Sequence, residues 1–152
     1  MEEKGRTRVA ELLGTHSYQL DPKGRISLPA RFRAVFADGA VLTLGQDGCL
    51  FCFPKAEWES RAGEVRDRPL SDARARAYAR MFFGKAEPVD LDAQGRLTIP
   101  LRLRGEAGIR REAVIVGVYD RMEVWDRAAH DRYEQTHGGA YQAGTLDIGG
   151  EG

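Results

Sequence analysis

"LDPKGRISLP" (Leu20–Pro29) and "LDAQGRLTIP" (Leu91–Pro100) are one ten-residue phrase written twice. Extended outward, "SYQLDPKGRISLPARFR" (Ser17–Arg33) lies over "PVDLDAQGRLTIPLRLR" (Pro88–Arg104) without a gap. Leu20/Leu91, Asp21/Asp92, Gly24/Gly95, Arg25/Arg96, Pro29/Pro100, Arg31/Arg102 and Arg33/Arg104 are identical, each pair 71 residues apart. Ile26/Leu97, Ser27/Thr98, Leu28/Ile99 and Phe32/Leu103 keep their chemical character. A register held this long marks a duplicated unit.

The likeness continues more weakly. "AVLTLGQDGCLFCFPKAEWE" from Ala40 resembles "AVIVGVYDRMEVWDRAAHD" from Ala113, with one extra residue in the first copy. Both read as strand, tight turn, strand and the start of a helix. Trp58, Ala62 and Val65 form a helical apolar stripe, and Asp126 is a plausible N-cap for the matching helix. Between the copies, "SDARARAYARMFFG" (Ser71–Gly84) opens with capping residues and closes on Gly, as a helix does. Tyr78 and Phe82 fall on one side of it, and Arg76 and Arg80 on another that reads as a solvated face. The expected layout is an N-terminal extension over 1–13, a first unit over 14–57 and a helical connector over 58–83. A second unit over 84–128, a helix over 129–136 and a Gly-rich disordered tail over 137–152 follow.

Within the phrase, most roles are structural. Gly24 and Gly95 supply the positive φ of a tight turn. Asp21 and Asp92 accept hydrogen bonds from the turn's amides. Pro29 and Pro100 open a helix where a missing N–H costs nothing. Arg25 and Arg96 begin a strand just after the turn, four residues beyond an acid. Each either pins the turn as a salt bridge, worth little if exposed, or is held by its Asp so as to reach a phosphate or base edge. Arg31 and Arg33 flank Phe32 on the following helix, and Arg102 and Arg104 flank Leu103.

Charge favours the second role. Formal net charge is zero, with 23 Lys and Arg against 23 Asp and Glu, so whole-molecule attraction to a polyanion is not expected. Yet Lys23, Arg25, Arg31 and Arg33 face one acid between Asp21 and Phe36, and five Arg face Asp92 and Glu106 between Asp92 and Arg111. A neutral chain with one basic face is a credible DNA binder.

Other classes find less support. No stretch approaches a membrane span, and "MEEKGRTRVAELL" lacks the apolar core of a signal peptide, which points to the cytoplasm. Cys49 and Cys52 form a C-x-x-C with no second ligand pair, so no metal is expected; they read as buried strand thiols. His16, His130 and His137 fall at different places in the two copies and form no nucleophile–base set. No enzyme activity and no cofactor are expected.

At these residues the chain resembles the MraZ family, whose units belong to the wider SpoVT-AbrB class of swapped-hairpin DNA-binding domains. The hallmark D-x-x-x-R is met by Asp21–Arg25 and again by Asp92–Arg96, and the likeness runs from about Gly14 to Tyr133. The resemblance implies an α+β, mainly β fold: tandem swapped-hairpin β-barrel units with flanking helices, a pseudo-dimer in one chain. It also implies a bacterial transcriptional regulator of the division and cell-wall gene cluster. Such a regulator binds direct repeats in its own promoter as a homo-oligomeric ring, associated with the nucleoid. By the same resemblance Arg25, Arg33, Arg96 and Arg104 contact double-stranded DNA. Lys23, Arg31 and Arg102 join them on charge.

Two departures stand out. Thirteen residues precede Gly14, either a mis-assigned start or an arm whose "KGRTR" touches DNA. Gln94 and Leu101 stand where the first copy has Lys23 and Ala30, so the first half is the more basic at the turn. The rival reading is an adaptor that keeps the fold and binds protein instead of DNA, for which zero net charge is the best argument.

Overall fold

Two three-residue strands, one from each copy, decide the architecture of the computed structural model, which describes residues 11–148. Strand β2 (Arg25–Ser27) pairs antiparallel with β6 (Arg96–Thr98), matching Arg25 with Thr98, Ile26 with Leu97 and Ser27 with Arg96. The pairing is two-fold symmetric about Ile26 and Leu97. The copies therefore do not fold side by side; they exchange strands.

The same exchange builds the main sheet. Its order is β1-β7-β8-β4-β3-β5, with β1 Leu12–Gln19, β3 Ala40–Leu44, β4 Leu50–Pro54, β5 Glu87–Val89, β7 Glu112–Tyr119 and β8 Met122–Asp126. Strand β1 of the first copy pairs with β7 of the second, and β5 of the second with β3 of the first. The match Tyr18–Ala113 repeats as Val89–Ala40. Hairpins β3–β4 and β7–β8 stay within their copies and meet where Leu50 pairs Val124. Swapped pairing was expected, but a closed barrel was not realised. The sheet is open, with β1 and β5 as its edges, and the β2–β6 ribbon is a separate two-stranded element.

Both faces of the sheet are covered, which is why β3 and β4 are almost continuously apolar. One face carries Leu42, Leu50, Cys52, Ala113, Ile115 and Val124. They pack with Ile26, Leu28, Phe32, Leu97, Ile99 and Leu103 from the ribbon, the helices α1 (Ala30–Val35) and α4 (Leu101–Ala107), and the short links that join them. The other face carries Phe51, Phe53, Val114 and Trp125. It is covered by Val65 and Trp58 of α2 (Lys55–Arg66) and Phe82 of α3 (Ala73–Gly84). The expected connector is thus two helices. The second is capped by Asp72, which accepts from the Arg74 amide at 2.9 Å.

Both cysteines are buried and unpaired, and burial raises the Cys49 thiol to about 12 and Cys52 further still. These thiols are inert packing groups. Pro29 and Pro100 sit one position before their helices, at the N-caps, with φ of −56° and −57°.

The ends differ from expectation. Leu12 and Leu13 belong to β1 and pair with Tyr119 and Val118, so only 1–10 of the expected extension lies outside the described residues. Helix α5 runs Arg127–Gln142, six residues past the expected end at 136 and into the segment expected to be disordered. Gly138 and Gly139 each cost a helix roughly 1 kcal/mol. Against that, Asp126 accepts from the Ala129 amide at 3.0 Å, and the Tyr133 and His137 rings meet at 4.2 Å. Residues 149–152 of the expected tail lie outside the described residues.

Ile26 and Leu97 are fully buried at the centre of the exchange. Replacing either by Ala is expected to lower stability by about 2–5 kcal/mol. The double variant should lose less than the two single losses combined, because the side chains share one site. Urea denaturation of the three variants checks both outcomes.

Candidate nucleic-acid interface

The ribbon has two unlike faces. Ile26 and Leu97 point into the core, so alternation turns Arg25, Ser27, Arg96 and Thr98 to the other side. Ser27 and Thr98 are exposed there and the two arginines half-exposed.

Each arginine is set by its own turn. Asp21 Oδ1 accepts the Lys23 and Arg25 amides, both at 2.9 Å, and Oδ2 accepts Arg25 Nε at 2.6 Å. Asp92 repeats this with the Gln94 and Arg96 amides at 3.0 and 2.9 Å and Arg96 Nε at 2.8 Å. One carboxylate thus shapes the turn and aims the guanidinium. The Arg25 amide is the chief cause of a lowered Asp21 pKa, helped by the Arg25 side chain and the Lys23 amide against partial desolvation. The Arg96 amide does the same for Asp92. Of the two roles open for Arg25 and Arg96, salt bridge or presented cation, the geometry shows the first: Nε of each is used by its turn, and both side chains stay partly exposed.

The glycines have a second task besides φ of +79° at Gly24 and +77° at Gly95. Arg104 of the second copy lies over Gly24, where a Cβ would stand 2.6 Å from its Cζ. Arg33 of the first copy lies over Gly95, where a Cβ would stand 2.6 Å from its Nε. Each docked arginine is steadied by a main-chain carbonyl: Arg104 Nε donates to Ile99 at 2.9 Å and Arg33 Nε to Leu28 at 3.0 Å. The Ile99 amide in turn donates to the Gly24 carbonyl at 2.9 Å. Each turn is therefore completed by the other copy. Lys23, Arg25 and Arg104 gather at the first, Arg96 and Arg33 at the second.

The remaining two predicted residues are not drawn into these clusters. Arg102 pairs with Glu87 of β5 at 3.1 Å, and Arg31 is exposed with no ion pair among the described residues. Sequence reading missed Glu87 and, noting Gln94 only as an uncharged counterpart of Lys23, missed its bond to Arg96. Glu87 neutralises Arg102, and Gln94 accepts from Arg96 Nη2 at 3.1 Å. The signal for both lay in the duplication, since their counterparts are His16 and Lys23.

The histidines are dispersed: His16 edges against Phe32, His130 against Trp125 and His137 against Tyr133. Among the described residues no group of three or more His, Cys, Asp or Glu could hold a metal ion. No helix among them is long and apolar enough to cross a membrane.

Comparison with known proteins accounts for the doubled architecture. The family model described as "MraZ protein, putative antitoxin-like" matches twice, over residues 12–81 and 82–142. The chain belongs to the MraZ family. It is similar to the transcriptional regulator MraZ of Paenarthrobacter aurescens, at 48% identity over 121 residues covering 80% of this chain and 85% of that one. The transcriptional regulator MraZ of Salinispora arenicola is 46% identical over the same shares. That of Pelotomaculum thermopropionicum is 42% identical over 130 residues, 86% of this chain and 90% of the relative. The two family matches divide at 81/82, inside α3, so each MraZ repeat supplies one turn and one docked arginine.

The lowered Asp21 and Asp92 pKa values carry a pH signature. A carboxylate with a depressed folded pKa contributes stability that is fully present above its unfolded value, about 4. That contribution is lost as pH falls through the lower folded value. The stability gap between wild type and an Asp21→Asn/Asp92→Asn variant should therefore be constant at neutral pH and shrink in acid. Denaturant titrations at several pH values measure it.

Proposed function

We propose that this chain is a sequence-specific DNA-binding transcriptional regulator. Its targets are direct repeats upstream of its own gene, in the division and cell-wall gene cluster. It acts as a ring of chains in the cytoplasm, on the nucleoid. One observation carries the reading: a two-stranded ribbon whose inner face is sealed in the core and whose outer face offers two aspartate-aimed arginines. A two-stranded β-ribbon fits the major groove. The family relatives named transcriptional regulators support the reading.

In this mechanism Arg25 and Arg96 approach guanine edges, where a bidentate pair discriminates by about 1–3 kcal/mol. Lys23, Arg33 and Arg104 neutralise flanking phosphates, with Arg31 and Arg102 further out on the helices. Each motif alone binds weakly; a ring holding many of them over evenly spaced boxes gains by effective concentration.

Fluorescence anisotropy with the upstream duplex and a random duplex, at two salt concentrations, tests the proposal. Arg25→Ala should weaken operator binding far more than random binding. Wild-type affinity should fall with salt by about 0.9 log units per log unit for each phosphate contacted. Equal losses on both duplexes would make Arg25 a phosphate contact or a turn brace. Absence of binding at low salt would overturn the reading and leave the protein-binding adaptor in its place.

A further inference from the structure

The two turns are built alike but are not electrically alike. At the first, Arg25 gives Nε to Asp21, and its Nη groups donate no hydrogen bond among the described residues. Lys23 stands beside it, exposed, and Arg104 lies over Gly24. At the second, Arg96 gives Nε to Asp92 and Nη2 to Gln94. Among the described residues only Arg33 joins it, over Gly95. Three cations meet one carboxylate at the first turn, and two meet one at the second. Arg96 is also tied at both ends of its guanidinium, whereas Arg25 is tied at one.

We propose that, of the two arginines the reading above sends to guanine edges, only Arg25 at the first turn reads DNA while Arg96 at the second is a brace, so that each chain engages one recognition box rather than two. The proposal rests on the DNA-binding reading above. To fork onto a guanine, Arg25 surrenders only water, because Nε stays with Asp21 while the Nη edge turns to the base. Arg96 must also give up Gln94, and it does so in a weaker positive field because the position of Lys23 is held by an uncharged amide. Gln94 is thus a specificity-determining residue that acts by holding its neighbour. Lys23 acts by adding a phosphate contact beside the reader.

The test uses the full chain and its upstream duplex. Arg25→Ala and Arg96→Ala each remove one Asp–Arg pair of matching geometry, so thermal melts should place them close together. Their DNA affinities should part: about tenfold or more lost for Arg25→Ala, less than about threefold for Arg96→Ala. Lys23→Gln should lower the salt slope by about 0.9, and Gln94→Lys should raise it by a similar amount. Both are exposed turn positions whose exchange leaves the core untouched. In the Lys23→Gln/Gln94→Lys chain the order should invert, with Arg96→Ala the costlier loss. Equal losses for the two alanine variants, in a wild type that binds, would overturn the asymmetry and leave DNA binding standing. Weaker binding by Gln94→Lys would also overturn it, marking Gln94 as a base contact. A wild type that fails to bind at low salt would overturn both readings together.

Discussion

The contact between Ile26 and Leu97 is the constraint on which the rest depends. A pair of three-residue strands is too short to persist in water unsupported. It persists here because the inner face closes the core over the main sheet, and because the Ile99 amide bonds the Gly24 carbonyl across the two copies. Once that pair is sealed, alternation leaves Arg25 and Arg96 no direction but outward. The aspartates then set the angle at which they leave. Burial creates the site, and charge only trims it.

How much of this was readable varies with the range of the forces involved. The turns were legible because their chemistry is local: an acid, a glycine and a proline at fixed spacing define the backbone almost unaided. The helices α2 and α3 followed from caps and apolar spacing. The closed barrel failed for a long-range reason. With helices on one face and the ribbon with its helices on the other, the main sheet is covered without its edges having to meet. The length of α5 was hidden by Gly138 and Gly139. Their cost is visible in the sequence, whereas the Tyr133–His137 contact that helps offset it appears only in three dimensions.

The arginines divide along the same line. Six of the seven basic residues singled out from the sequence are arginines on the repeated phrase, and composition treats them as equals. Their surroundings do not. Arg33 and Arg104 are docked on the opposite copy's glycine, Arg102 is neutralised by Glu87, and Arg96 is shared between Asp92 and Gln94. None of these fates follows from the spacing of the phrase, because each depends on a residue outside its identical positions or on the strand exchange itself.

The exchange of strands also has a consequence for how the protein is made. Leu12 pairs with Tyr119, and Gln19 with Glu112, so the first strand finds its neighbour only after most of the chain exists. At synthesis rates of about 5–20 residues per second the N-terminal half waits several seconds with one long strand unpartnered. A ribosome therefore cannot deliver this molecule one repeat at a time. The repeats are two in sequence and one in folding, and the newborn first half is committed to a partner still being written.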